Sequence, residues 1–329
     1  AYAQLELGYQ IPNQEFFGIG LGMVAPTIAD HASDAVANEL LPKMYRGDLV
    51  GCQLFSEPGA GSDLASLQMK AERDGDEWII TGQKVWTSGA HYSDVGEVIA
   101  RTDPDLPKHK GLTGFVVDMK APGVEIRPLR QMTGGANFNE VFFDEVRVPD
   151  THRLGDVNDG WRVALTTLMN ERASIGGGTS GGGSFTRLRE MVEHFGLADD
   201  ALVRQDLADI YIRGQVNKLN AQRAMDKIKA GELPGAEMSG AKLALTENMR
   251  RTSALVSTVL GPRLAADTGE WGTFSWSSYV LGMPAMAIAG GSDQVLRNIM
   301  GERVLGLPKE PGIDTVSPFK DLLVGTQKS

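Results

Sequence analysis

The chain has 329 residues, 42% hydrophobic and 22% charged, with a formal net charge of −10. That length suffices for two or three structural units around a large core, and the acid excess argues against nucleic acid as a partner, because phosphate contact needs a basic face. The single cysteine, Cys52, excludes an internal disulfide and suits a reducing compartment such as the cytoplasm, and no apolar run approaches the length of a membrane span.

The chain starts without Met, inside a helix-like pattern, so a missing N-terminal segment is expected and the sequence is silent on targeting. Residues 1–50 read as helical pieces interrupted by Gly18-Ile19-Gly20-Leu21-Gly22. No strand precedes these glycines and their spacing differs from a dinucleotide fingerprint, so close helix packing is the expected use. Residues 51–155 change character. Short β-rich runs such as Trp78-Ile79-Ile80, Val98-Ile99-Ala100, Leu112 to Val117, Val124-Glu125-Ile126 and Val141-Phe142-Phe143 are separated by turn formers such as Asp74-Gly75-Asp76 and Ala121-Pro122-Gly123. Strands at this spacing predict an antiparallel sandwich or barrel.

From residue 156 the period turns helical again. Trp161 to Met169 opens one helix, and Val203, Leu207, Ile210, Tyr211 and Leu219 mark a long amphipathic one. Glu237 to Leu260 forms another, closed by Gly261-Pro262, and Gln294 to Leu305 a last one, with Asp293 expected to cap it. Glu232-Leu233-Pro234-Gly235 reads as a loop, and residues 311–329 as a tail. The Gly-rich stretch Gly176 to Gly183 has linker composition, a mobile wall near a ligand site being the alternative. The fold class is thus α+β: a helical start (1–50), a β-domain (51–155), a helical bundle (156–310) and the tail.

Two segments stand out chemically. Ser56-Glu57-Pro58-Gly59-Ala60-Gly61-Ser62-Asp63 follows an apolar run and breaks into tightly turning glycines, whose N–H groups can form an anion-binding concavity. Gly82-Gln83-Lys84-Val85-Trp86-Thr87-Ser88 ends a strand-like run with an indole and two hydroxyls. Together they suit a flat, phosphate-bearing cofactor, although each alone is also what an ordinary turn or a core tryptophan looks like. His31, His91, His109, His152 and His194 are dispersed and lack ligand spacing, so no metal site is expected. No Gly-x-Ser-x-Gly elbow supports a hydrolase.

The two segments, in order and at this spacing, resemble the acyl-CoA dehydrogenase flavoproteins over essentially the whole chain. The resemblance implies FAD as cofactor, an acyl-CoA substrate, electron-transferring flavoprotein as acceptor with oxygen as an alternative, and a homodimer, homotetramer or hetero-oligomer built through the C-terminal bundle. It places flavin contacts at Phe55, Ser56, Gly61, Ser62, Trp86, Ser88, Ser292 and Gln294, and substrate contacts at Ser62, Arg172 and Gly290. The family's usual base is a Glu near the C-terminus. The matching slot here, in Ala289-Gly290-Gly291-Ser292-Asp293-Gln294, is Gly290, which has no side chain to take a proton. The family's second base position lies in an L-x-x-E-R motif, matched by Leu168-Met169-Asn170-Glu171-Arg172, which makes Glu171 the expected base. Two departures weaken the implied FAD binding by this chain alone. Val192 stands where the family carries an Arg that clasps the pyrophosphate, and Leu260-Gly261-Pro262-Arg263 replaces a Gln- and Gly-rich segment. Hence a second reading, a non-catalytic subunit of a hetero-oligomeric acyl-CoA dehydrogenase.

Overall fold

The computed structural model describes residues 15–177, 184–230, 235–236, 238–267, 269–270, 273–309, 311 and 314–323. Most of the Gly-rich stretch and of the loop at 232–234 therefore lies outside the described residues. The chain forms two compact units, one of residues 1–131, 135–171 and 311–329, the other of residues 132–134 and 172–310.

The first unit opens with α1 (Glu15–Ile19), a π-helical turn (Gly20–Val24), α2 (Ala25–His31) and α3 (Asp34–Arg46). The Gly-rich interruption does serve close packing, but against a strand. A Cβ on Gly20 would sit 2.9 Å from the backbone N of Gly51, so a side chain there would push helix and sheet apart. The sheet strands are β1 (Gly51–Leu54), β2 (Lys70–Asp74), β3 (Glu77–Ser88), β4 (Val95–Arg101), β5 (Leu112–Asp118), β6 (Val124–Leu129), β7 (Phe138–Pro149) and β8 (Arg153–Leu154). They form one sheet in the order β6-β7-β3-β2-β4-β5-β8, with β1 joined to β4. The sheet is mixed rather than wholly antiparallel, since β1 runs parallel to β4 and β2 meets β4 through one parallel bridge, Lys70 to Arg101.

Each face of the sheet has its own core. Val24, Ile28, Leu40 and Met44 of the helices join Phe55, Leu64, Leu67, Val95 and Ile99 on one side. Leu54, Met69, Trp78, Ile80, Val98, Phe115 and Val141 fill the other. Each such side chain contributes about 1.5–3 kcal/mol of transfer free energy when fully buried. Helix α4 (Gly160–Gly177) adds Val163 and Ala164 to the first core. Its buried positions, 160, 163, 164 and 167, recur at the three- and four-residue spacing of one helix face, and half-buried Glu171 follows four residues after the last.

The expected tail is partly docked structure. Phe319 N–H bonds to the Leu106 carbonyl (2.9 Å), Lys320 N–H to the Pro104 carbonyl (3.0 Å), and the Arg101 guanidinium lies 3.6 Å from the Phe319 ring centroid. The sequence carries no periodic signal there because the attachment uses backbone bonds and one aromatic.

The second unit contains α5 (Phe185–His194), α6 (Ala201–Lys229), α7 (Met238–Leu260), α8 (Thr273–Met286) and α9 (Asp293–Ile299). Leu188, Met191, Val192, Val203, Ile210, Val256, Leu260 and Trp276 form its core. The last helix is shorter than Gln294–Leu305, because a π-helical turn over Met300–Val304 follows α9.

Candidate active site

The two chemical segments are stitched together by one buried ion pair. Glu57 and Ala60 close the Pro-Gly turn on each other through backbone bonds of 2.8 and 3.1 Å. The Glu57 carboxylate then accepts from Gln68 N–H (2.6 Å), Met69 N–H (3.0 Å) and Lys84 Nζ (2.9 Å). Lys84, fully buried, also donates to the Phe55 carbonyl at 3.0 Å, and Val85 N–H donates to the Ser56 carbonyl at 2.8 Å. Burial pulls the Lys84 ammonium below its usual pKa, with Glu57 opposing. Asp63, the last residue of the Gly-rich loop, is held by Lys108 Nζ at 2.9 Å, and Lys108 also reaches Asp314 of the docked segment at 2.7 Å. Burial works against the Lys108 charge, but the two carboxylates outweigh it and raise its pKa. Composition and spacing gave no sign of these lysines' roles; the signal available was, for Lys84, a lone Lys within a β-rich run, and for Lys108 none.

Trp86 departs most from ordinary folding. It sits at a register shift between Lys84 and Thr87 against β7, with φ at +61° and 61% of its surface exposed. A bulge re-aims a side chain, and positive φ in a bulky residue costs on the order of 1–3 kcal/mol. Its ring meets Phe138 edge-on at 6.1 Å. An indole strained and bared at once contributes little to folding and is well disposed to stack on a ligand. Ser56 and Ser88 flank it on the joined segments, and neither hydroxyl is bonded to a described residue. Gly61 is exposed, with open space around its Cα, and Ser62 beside it is exposed as well. Phe55, in contrast, turns its side chain into the core at 5% exposure.

Glu171 lies half-buried at the end of the inward stripe of α4, not on its solvent face. Val163 and Ala164 of that stripe share a core with Phe55, Ala60, Leu64 and Leu67, so one apolar cluster carries both the Gly-rich loop and the helix that bears Glu171. The Arg172 side chain is outside the described residues.

In the second unit, Gly290 and Gly291 both have positive φ, +67° and +88°. Ser292, not Asp293, caps α9, its hydroxyl accepting from Val295 N–H at 3.3 Å. Asp293 instead is buried and takes bonds from Thr246 Oγ1 (2.9 Å), Lys242 Nζ (3.3 Å) and Arg250 (3.2 Å). Burial opposes its charge, but these donors hold its pKa below the usual range. Capping and ion pairing are interchangeable for Asp in sequence, and the buried Lys242 and the exposed Arg250 of α7 decide between them. Gln294 is exposed. Val192 is a core residue, 1% exposed. Arg263 is engaged within its own unit, bonding Glu270 at 2.8 Å and lying over the Phe195 ring at 5.0 Å. Among the described residues no group of His, Cys, Asp or Glu is placed to hold a metal, and no helix is long and apolar enough to cross a membrane.

Residues 52–146 match the middle domain of acyl-CoA dehydrogenases, and residues 158–305 match their C-terminal domain. The chain is 43% identical over 289 residues to acyl-CoA dehydrogenase FadE34 of Mycobacterium tuberculosis, covering 87% of this chain and 39% of that relative's length. The solved structure of the Tcur3481-Tcur3483 steroid ACAD superposes with a TM-score of 0.80 at 30% identity, covering 89% of this chain and 77% of that one. The ChsE4-ChsE5 complex from Mycobacterium tuberculosis gives 0.77 at 29% identity, covering 93% and 80%. The chain belongs to the acyl-CoA dehydrogenase family, oxidoreductases that act on the CH–CH bond of acyl-CoA thioesters and whose members bind FAD.

Proposed function

We propose that the protein is an FAD-dependent dehydrogenase of an acyl-CoA thioester, with Glu171 as the base that removes the α-proton. The observation that carries this reading is the half-buried placement of Glu171 on α4, four residues beyond buried Thr167, on a helix whose Val163 and Ala164 share a core with the Gly-rich loop, while the alternative slot is a glycine. When bound, FAD supplies the acceptor for the β-hydride. Trp86 offers an aromatic face for the ring system, and Ser56 and Ser88 offer hydroxyls for its polar edge. The open Gly61-Ser62 turn suits a phosphate or the thioester, and the family resemblance assigns Ser292 and Gln294 to the cofactor as well. Glu171 takes the proton as the thioester carbonyl gains enolate character, and hydrogen-bond donors must meet that oxygen as charge develops. Arg172 and Gly290 are assigned to the CoA and acyl side. A steroid-derived thioester is the acyl class favoured by the named relative, with electron-transferring flavoprotein as acceptor and the cytoplasm as setting.

An oligomer through the helical bundle is supported by an exposed apolar row on α6, Ile212 (58%), Val216 (51%) and Leu219 (65%), spaced four and three residues apart. The buried Val192, in place of the pyrophosphate-binding Arg, favours a second reading: a subunit that depends on a different chain to complete its cofactor site.

The test is the visible spectrum of the purified protein under anaerobic titration with acyl-CoA thioesters. Flavin bands that bleach, and a Glu171→Gln variant slowed by roughly 10²–10⁴-fold, are expected. A yellow protein whose bleaching survives that substitution refutes the base assignment. Colourless protein that takes up no added FAD points to the subunit reading.

A further inference from the structure

Strand β4 carries an acid where its pattern calls for an apolar residue. Val95 and Ile99 point into the core shared with the helices, and Glu97 stands between them in the same row, fully buried. One of its oxygens lies 2.5 Å from Thr167 Oγ1 on α4, and the other has no partner. Thr167 Oγ1 is 2.9 Å from Thr27 Oγ1 on α2, which donates to the Met23 carbonyl at 2.9 Å.

Proton accounting selects one state of this chain. A Glu97 carboxylate would accept from Thr167 and leave its second oxygen charged and bare among apolar side chains, a costly arrangement. As the neutral acid, Glu97 donates to Thr167, Thr167 passes its own proton to Thr27 or to the Val163 carbonyl at 3.2 Å, and Thr27 donates to the Met23 carbonyl, so every proton finds an acceptor. The chain ties β4, α4 and α2 together at the buried face of α4. Thr167 and Glu171 are four residues apart and therefore lie one above the other on that face.

We propose that Glu97 is a positioning residue for the reaction: through Thr167 it fixes the rotation and height of α4 against the sheet, and so sets where the Glu171 carboxylate stands. This rests on the reading of Glu171 as base. Burial pushes the Glu97 acid up to about 8, against which the Thr167 hydroxyl is the opposing contact. The titratable groups on β4 and on the elements packed around it include Arg101 on β4, Asp118 on β5, Cys52 on β1, Asp30 and His31 on α2, and Arg162 and Glu171 on α4. The Cys52 thiol is raised to about 12, by burial first, with a hydrogen bond to Ser93 opposing and the Glu97 charge adding to the rise. His31 bonds Thr166 at 2.8 Å, and burial followed by the nearby Arg162 keeps its pKa below the usual value. No cation reaches Glu97 to favour its ionised form among these contacts.

The experiment is backbone amide exchange over residues 163–171 in the full chain, with and without added FAD, from about pH 6 to 9.5. It compares the native protein with Glu97→Gln, Glu97→Ala and Thr167→Val. Gln keeps a donor for Thr167 and cannot ionise. The native protein should lose about tenfold in protection across its upper pH range, Glu97→Gln should hold its protection throughout, and Thr167→Val should show the loss at every pH. Thr167→Val preserves the core volume, so it decides the matter even where Glu97→Ala fails to fold. In parallel, anaerobic flavin bleaching by butyryl-, octanoyl-, palmitoyl- and isovaleryl-CoA should fall in kcat more than in KM for Thr167→Val, and the high-pH fall of the native rate should vanish in Glu97→Gln. Protection that is equal in all four proteins and flat with pH overturns the proposal. The base reading fails separately, if Glu171→Gln bleaches like the native protein, and the exchange result stands or falls without it.

Discussion

Lys84→Met isolates the electrostatic part of the scaffold beneath the Gly-rich loop. Met fills nearly the same volume, so the change removes charge and hydrogen bonds rather than opening a cavity. It leaves the Glu57 carboxylate at 9% exposure with only the Gln68 and Met69 N–H groups as partners, and it orphans the Phe55 carbonyl. Breaking a buried pair by removing one partner costs about 3–5 kcal/mol, and the lost bond to the carbonyl adds about 1 kcal/mol. Glu57→Gln in the same background relieves the bare charge. The double variant should therefore be less destabilised than the sum of the two single ones, with a coupling of about 1–3 kcal/mol. Urea unfolding followed by tryptophan fluorescence reads both quantities, provided the m-value is unchanged. The loop is pinned through this pair, so FAD retention on gel filtration should drop in step with stability. An unfolding midpoint for Lys84→Met equal to the native one, or strictly additive losses, refutes the argument that the pair organises the loop.

Other expectations are simpler to check. Trp86→Gly relieves the positive φ and removes an indole that the fold does not use. Its unfolding free energy should change by less than about 1 kcal/mol, while FAD affinity measured by fluorescence quenching should weaken several-fold; equal affinity would remove Trp86 from the cofactor site. Phe319→Ala removes the ring under Arg101, about 1 kcal/mol of cation–π contact, and limited proteolysis should then cut the segment around Lys309 and Lys320 faster than in the native chain. Glu97 makes a pH prediction with a definite sign. Its acid is raised from 4.5 to about 8 on folding, so across that window the unfolded chain has released a proton that the folded chain keeps. The Glu97 contribution to stability is therefore greatest below about pH 4.5, falls as pH rises to about 8, and is on the order of 5 kcal/mol at most. The difference between native and Glu97→Gln unfolding free energies should trace that fall, and a pH-independent difference would count against it.

The elements legible in the sequence were those whose apolar residues carry a clear period. Strands β3 to β7 announce themselves through Val, Ile and Phe runs between turn residues. Strand β2, Lys70-Ala71-Glu72-Arg73-Asp74, exposes all of its residues but Ala71 and so shows no apolar run. Strand β1 is four residues long and is fixed by its parallel pairing with β4, which local sequence does not encode. Helix α8 mixes Ser, aromatic and aliphatic residues with an internal Pro284, which leaves no polar face to mark a period. The motif residues Ser56, Trp86 and Ser88 were legible as a set because their spacing is. Glu57, Lys84 and Glu97 were not, since a charged residue inside a β-rich run looks like an interruption until its partner across the sheet is known.

That partner logic also bears on why a base on α4 is mechanically reasonable. The slot at Gly290 lies where the backbone holds φ at +67°, a conformation that costs an L side chain roughly 1–2 kcal/mol. A Glu introduced there would be strained. Glu171, by contrast, continues a stripe whose Val163 and Ala164 are locked in the core that also holds the Gly-rich loop, and whose Thr167 is tied to β4. Misplacing a reacting group by about 1 Å can cost on the order of a hundredfold in rate. The same apolar contacts that fold α4 onto the sheet also carry the Gly-rich loop, so with Glu171 as the proposed base, packing substitutions at Val163 or Ala164 should lower the rate through geometry.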